Sequence, residues 1–200
     1  MVRTIIFDLG NVIVPFDFKR GYLRMEPLCG YPAAEIPARL RSTDLVTRFE
    51  TGRIEPQAFV AELCGVLKLD TTYQQFCDLW TSIFLPEALI PEEFIAALKE
   101  RYRLLLLSNT NAIHFEMIQH HYPLVRLFDR YVLSYQVGAL KPSAKIYEAA
   151  LEQAQCEPEE CFFTDDILAY VEGARRHGMD AVQFQNFGQL QEEMRSRGLT

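Results

Sequence analysis

Four polar stretches carry side chains whose types could do chemistry together: Asp8, Ser108-Asn109, Lys141 and Asp165-Asp166. Each alone is commonplace, since Ser-Asn after a strand is often a turn or helix cap, an acidic pair a solvated loop, and a lysine a surface residue. Here three of the four end apolar runs: Thr4-Ile5-Ile6-Phe7 runs into Asp8, Leu104 to Leu107 into Ser108-Asn109, and Cys161-Phe162-Phe163-Thr164 into Asp165-Asp166. A carboxylate at the end of a buried run must be paired, metal-bound or protonated, because an isolated buried charge is too costly. Three carboxylates gathered in one place repel, and a divalent cation of the magnesium type, which takes oxygen ligands and keeps several waters, relieves them. Asp8 is then both a metal ligand and a candidate nucleophile, since carboxylates attack phosphorus to give an aspartyl-phosphate that water later hydrolyses. The Ser108 hydroxyl and the Lys141 ammonium suit the equatorial phosphoryl oxygens, where charge spreads in the transition state.

The elements that must position these groups follow from the pattern. The run from Thr4 to Val14 shows no alternation, as expected of a parallel strand buried on both faces, with Asp8 at its end and Gly10-Asn11 turning the backbone. From Pro91 onward helical and strand patterns alternate. Helices are expected at Glu92 to Arg101, Ala112 to His121, Ala144 to Gln155, Ala169 to His177 and at the C-terminus, and strands at Leu104 to Leu107, Tyr131 to Ser134, Cys161 to Thr164 and Ala181 to Phe184. This alternation specifies an α/β fold, a Rossmann-like doubly wound parallel sheet with helices on its faces. Ligands bind such sheets outside the carboxyl ends of the strands, where the polar stretches fall.

Residues 15–88 read as helical throughout. Helical spacing covers Lys19 to Cys29, Ala33 to Arg41, Asp44 to Glu50 closed by Gly52, a helix opening at Pro56, and Tyr73 to Phe84, in which Trp80 belongs to the inward face. The expected organisation is a core of residues 1–14 and 89–200, with 15–88 inserted as an all-helical cap.

Bulk properties bound the function. A formal charge of −7 and a pI near 5.2 disfavour nucleic acid as a partner. Cys29, Cys64, Cys77, Cys156 and Cys161 form no CxxC pair, so structural zinc is not expected. Their odd number and spread, with no charged-then-apolar leader, point to a reduced, cytoplasmic setting. No apolar stretch approaches the roughly 20 residues of a membrane helix. The expected partner is a small phosphorylated molecule, bound by a monomer or homodimer.

The motifs Phe-Asp-Leu-Gly-Asn-Val at Asp8, Leu-Ser-Asn-Thr-Asn at Ser108, Lys141-Pro142 and Phe-Thr-Asp-Asp at Asp165, in this order, resemble the four motifs of the haloacid dehalogenase superfamily with a helical cap of the C1 type. The wording, including Lys-Pro-x-x-x-Ile-Tyr, is most similar to a bacterial subgroup that includes α-glucose-1-phosphate phosphatases. The resemblance implies that Asp8 is the nucleophile, that Asp8, the Gly10 carbonyl and Asp165 bind Mg²⁺ with Asp166 in support, and that Ser108, Asn109 and Lys141 hold phosphate. It implies a Mg²⁺-dependent phosphomonoester hydrolase acting on a small metabolite such as a sugar phosphate.

Two positions depart from that pattern. Gly10 stands where phosphatases of the superfamily usually carry a second Asp as general acid and base, and Tyr170 where the subgroup often has Asn. Gly10 would suit a 2-haloacid dehalogenase, which needs neither acid nor metal, or a catalytically weak binding protein; the adjacent acids Asp165 and Asp166 argue for the metal-dependent phosphatase. Asp17, Lys19, Arg20, Arg48 and Glu50 are the charged residues of the insert that could face the substrate.

Overall fold

In the computed structural model, which describes residues 1–200, the N-terminal apolar run forms β1 (Thr4–Phe7). The chain then passes through α1 (Phe18–Met25), α2 (Ile36–Arg41), α3 (Leu45–Glu50), α4 (Pro56–Leu67) and α5 (Tyr73–Thr81) before reaching another strand. Helix and strand alternate from there: α6 (Glu92–Lys99), β2 (Arg103–Ser108), α7 (Ala112–His121), β3 (Arg130–Leu133), α8 (Ser134–Val137), α9 (Ala144–Ala154), β4 (Cys161–Asp165), α10 (Leu168–Arg176), β5 (Asp180–Gln183) and α11 (Phe187–Ser196). All strand pairs are parallel, in the order β3-β2-β1-β4-β5. The chain begins on the middle strand and winds outward to each side in turn, so the α/β fold is doubly wound, with the helical insert between β1 and β2.

Side chains of a strand alternate between faces, and both faces of this sheet are covered. Ile5, Phe7, Leu104, Leu106 and Phe162 pack on one side with residues of α6, α7 and α11. Ile6, Leu105, Leu107, Val132 and Phe163 pack on the other with α9 and α10. Gly173 of α10 has no room for a Cβ, which would lie 2.7 Å from Tyr147 Cζ of α9, so the two helices meet closely here.

The insert has its own apolar centre. Phe49 and Phe59 stack with ring centroids 4.1 Å apart, and Phe76 and Trp80 extend the cluster, with Trp80 on the inward face as expected. Contacts at the crossings and on α7 help to join this layer to the sheet. The chain enters and leaves side by side, where Phe16 pairs with Phe84 in an antiparallel bridge and Leu85 N–H donates to the Pro15 carbonyl at 2.9 Å. On α7, Ile113 joins the insert's apolar cluster, and His114 packs against the Trp80 ring, centroids 5.4 Å apart.

The structure differs from the sequence reading mainly at element ends. The first strand stops at Phe7; Leu9 to Val14 form a tight turn in which Ile13 and Val14 N–H both donate to the Leu9 carbonyl and Asn11 takes a φ of 54°, a conformation asparagine tolerates better than most residues. Val12, Ile13 and Val14 are buried beside the core, which is why their stretch read as strand. The first insert helix ends at Met25, and Pro27 lies in a short 3₁₀ turn, Glu26–Leu28. The single turn of α8 carries too few residues to show a helical period.

Candidate active site

The register carries the polar strand ends to one edge of the sheet. Phe7 pairs with Leu106 on one side and Thr164 on the other, so Asp8 lies between the ends of β2 and β4, and its N–H donates to the Thr164 carbonyl at 2.9 Å. Ser108 and Asp165 are buried at the ends of β2 and β4, and Asp166 is half-buried. Lys141 reaches this edge from the loop before α9. Its Nζ donates to Asp8 Oδ1 at 2.7 Å, to Asp165 Oδ2 at 2.5 Å and to the Leu107 carbonyl at 3.0 Å, so all three of its protons are used.

Charge in this pocket is unbalanced. One ammonium faces two carboxylates, and all three side chains are almost wholly buried. Burial works against a charge on Lys141, but Asp8 and Asp165 outweigh it and hold the ammonium above its ordinary range. Asp8 is pushed toward its protonated form. Its carboxyl is raised to about 7, chiefly by burial, with Lys141 pulling it down and Asp165 pushing it up. Asp166 is also raised, by burial first and by Asp165 second. Carboxylate oxygens of Asp8, Asp165 and Asp166 lie within 4.8 Å of one another, and Gly10 follows in the same loop. Three carboxylates crowded together around a single ammonium fit a hard divalent cation with oxygen ligands.

The surrounding loops are held by side chains. Asn109 grips the Lys141 backbone at both ends: Lys141 N–H donates to Asn109 Oδ1 at 2.7 Å, and Asn109 Nδ2 donates to the Lys141 carbonyl at 3.1 Å. The Asn109 side-chain amide thus places Lys141. Tyr170, at the position of the departure noted above, joins this clamp, its hydroxyl 3.4 Å from Asn109 Nδ2 and its ring 5.1 Å from Lys141 Nζ. Ser134 exchanges hydrogen bonds with Thr110 N–H and C=O, each at 2.9 Å, which fixes the loop after Ser108. The clamp and this brace join residues far apart in the chain, and no local pattern announces them.

A cavity of about 460 Å³ opens above this edge, between the sheet and the insert. Leu9, Gly10, Ser108, Asn109 and Thr110 form its floor. Its roof is aromatic and aliphatic, with Phe18, Tyr22 and Trp80 among its residues, and carries two charged side chains, Arg41 and Glu50. Of the five insert residues singled out by sequence, Glu50 reaches the cavity. Asp17 instead caps α1 by accepting from Lys19 N–H, Lys19 and Arg20 are exposed, and Arg48 turns outward to pair with Glu62 at 3.1 Å. Arg41 was missed, because nothing in a short helix shows which side meets the sheet.

Comparison with known proteins agrees with this architecture. A family model of haloacid dehalogenase-like hydrolases matches residues 2–178. The chain belongs to this family. Among relatives of this haloacid dehalogenase-like hydrolase, D-ribitol-5-phosphate phosphatase of Bacteroides thetaiotaomicron is 26% identical over 203 residues, covering 97% of each chain. Among solved structures, a haloacid dehalogenase family enzyme from the same organism, in complex with magnesium and inorganic phosphate, superposes with a TM-score of 0.83 at 24% identity, covering 95% of this chain and 99% of that one. A predicted haloacid dehalogenase-like family hydrolase from Porphyromonas gingivalis gives 0.82 at 29% identity, with 98% of each chain covered. No helix of the hydrolase is long and apolar enough to cross a membrane.

Proposed function

We propose that this hydrolase is a Mg²⁺-dependent phosphomonoester hydrolase that works through an aspartyl-phosphate on Asp8 and acts on a small phosphorylated metabolite, a sugar or polyol phosphate. The observation that carries the reading is the pocket of Asp8, Asp165 and Asp166 around one lysine, beneath a cavity floored by Ser108. Asp8, the Gly10 carbonyl, Asp165 and Asp166 would hold the ion, which supplies positive charge against the phosphoryl oxygens and the crowded carboxylates. Asp8 attacks phosphorus from the end of the central strand. Lys141, held by Asn109, favours the ionised form of Asp8 against burial and neutralises charge on the transferring group, and Ser108 donates to a phosphoryl oxygen. Residues 15–88 act as the cap that selects the leaving group. The phosphatase among the relatives supports this chemistry, and its polyol phosphate defines the first substrates to try.

The test is hydrolysis of p-nitrophenyl phosphate, followed by a panel of sugar and polyol phosphates, with Mg²⁺ and with EDTA. Turnover that needs Mg²⁺ and vanishes in Asp8→Asn supports the reading. Halide release from 2-chloropropionate without metal would replace it with the dehalogenase.

A further inference from the structure

The geometry points to Glu50 as the group that protonates the leaving-group oxygen and later takes the proton of the hydrolytic water, a role resting on the phosphatase reading. Two observations converge on it. The first is at Gly10. A Cβ built there would lie 2.7 Å from Phe16 Cε1, so the ring already fills the space into which an acid at position 10 would grow. Phe16 is wedged in turn between Phe18 and Phe84, ring centroids 4.9 and 6.2 Å away. The loop that usually supplies the acid has been given to an aromatic wall.

The second is in the roof. Glu50 is the one carboxyl among the residues that line the cavity, and it forms no hydrogen bond or ion pair with the protein. Its position is tied to the sheet, not left to the insert alone. Two residues further on, Gly52 takes a φ of 65° and lies so close to the Tyr135 carbonyl of α8 that a Cβ would collide with it. The end of α3 thus rests on the core. Burial raises the Glu50 carboxyl to about 7, which makes both protonation states available near neutrality, as an acid that must also act as a base requires. Tyr22 of α1, Arg41 of α2 and His114 of α7 share the cavity, Asp8 and Lys141 lie beneath its floor, and on α3 itself Arg48 pairs outward with Asp44 and Glu62.

The reaction then balances. In the first half, Asp8 bonds to phosphorus as the bond to the ester oxygen breaks, and the Glu50 proton passes to that oxygen to release the alcohol. In the second, water bonds to phosphorus, gives a proton to the Glu50 carboxylate, and the Asp8 to phosphorus bond breaks. Orthophosphate leaves, with Asp8 and protonated Glu50 restored.

The test uses the full chain with Mg²⁺ and three esters of similar size whose leaving groups become steadily more basic: p-nitrophenyl, phenyl and benzyl phosphate. Glu50→Gln should lower kcat/KM for benzyl phosphate by about 10²-fold, while p-nitrophenyl phosphate, whose leaving group needs little protonation, changes by less than about threefold. The benzyl phosphate profile should lose its decline above about pH 7. With p-nitrophenyl phosphate the variant should show a burst of one nitrophenolate per site followed by slow turnover, because the aspartyl-phosphate now lacks its base. Glu50→Asp should recover part of the benzyl phosphate rate. An equal loss on all three esters would make Glu50 a binding contact and overturn the proposal, as would an unchanged variant. If the unmodified protein hydrolyses none of the three, the phosphatase reading itself falls and takes this role with it.

Discussion

Lys141 Nζ donates to Asp8 Oδ1 at 2.7 Å from a side chain that is 1% exposed. The ammonium counters the charge of Asp8, the proposed nucleophile, and it also keeps Asp8 and Asp165 from facing each other bare.

Removing that charge should therefore damage both stability and activity. Lys141→Met leaves two buried carboxylates uncompensated and should cost about 3–5 kcal/mol in the absence of metal, with part of the loss recovered in Mg²⁺. Lys141→Arg keeps the charge but brings a planar fork into a site built for three separate acceptors, and should lose about 10²-fold or more in kcat/KM. Thermal melts with and without Mg²⁺, beside kinetics, check both. Wild-type rates in the arginine variant would remove Lys141 from the machinery.

Asp8→Asn should abolish turnover without unfolding the protein. The amide keeps the volume, and it removes one of the two carboxylates that repel at the strand ends, so the melting temperature should hold or rise. Any retained phosphatase activity in the folded variant would contradict the covalent route.

Asp165→Asn should raise the Mg²⁺ concentration for half-maximal activity by about 10-fold or more, and Asp166→Asn should do so less steeply. A metal titration that superposes on the unmodified protein's would show that the acid is no ligand.

Position 10 offers a test of sterics. Gly10 is not among the residues with positive φ, so its backbone accepts a side chain, and the obstacle is Phe16 alone. Gly10→Asp should be destabilised by about 1–3 kcal/mol through overpacking, and Gly10→Asp with Phe16→Ala should recover most of it. A fully stable single variant, measured by urea unfolding, would mean that the ring moves aside freely.

His114 gives a pH dependence of definite sign. Its Nε2 donates to the Trp80 carbonyl at 3.1 Å, and its Nδ1 accepts from Asn111 Nδ2 at 3.1 Å, a neutral tautomer with no place for a second proton. Burial lowers its pKa from 6.5 to about 4, so the folded state binds fewer protons than the unfolded one between these values. The stability it contributes is complete above about pH 6.5 and is lost as pH falls toward 4, by up to about 3 kcal/mol. His114→Gln should flatten that window when unfolding free energies of the two proteins are compared from pH 4 to 7.

What the sequence discloses and what it hides follow from range. Asp8, Ser108 and Asp165 are legible because a parallel strand buried on both faces is an unbroken apolar run, and the first polar residue after it marks the carboxyl edge. The clamp of Asn109 on Lys141 spans 32 positions and leaves no local trace. The roof is hidden for another reason. Arg48 and Glu50 flank the inward-facing Phe49 on a helix of six residues, and being two positions apart they point to nearly opposite sides. Only the docking of α3 on Tyr135 decides that Glu50 takes the cavity and Arg48 the solvent.

The bridge between Phe16 and Phe84 has a bearing on how this protein can be rebuilt. Because the two crossings lie side by side, all the helices between them leave and return through a single gate, and the sheet closes over β1 and β2 without needing any of them for its register. A short turn joining Phe16 to Phe84 spans that gap at small entropic cost, and a foreign insert whose ends lie equally close can be grafted in its place. Ile113 and His114 are then among the core side chains left uncovered, and a transplant must bring its own apolar surface to meet them.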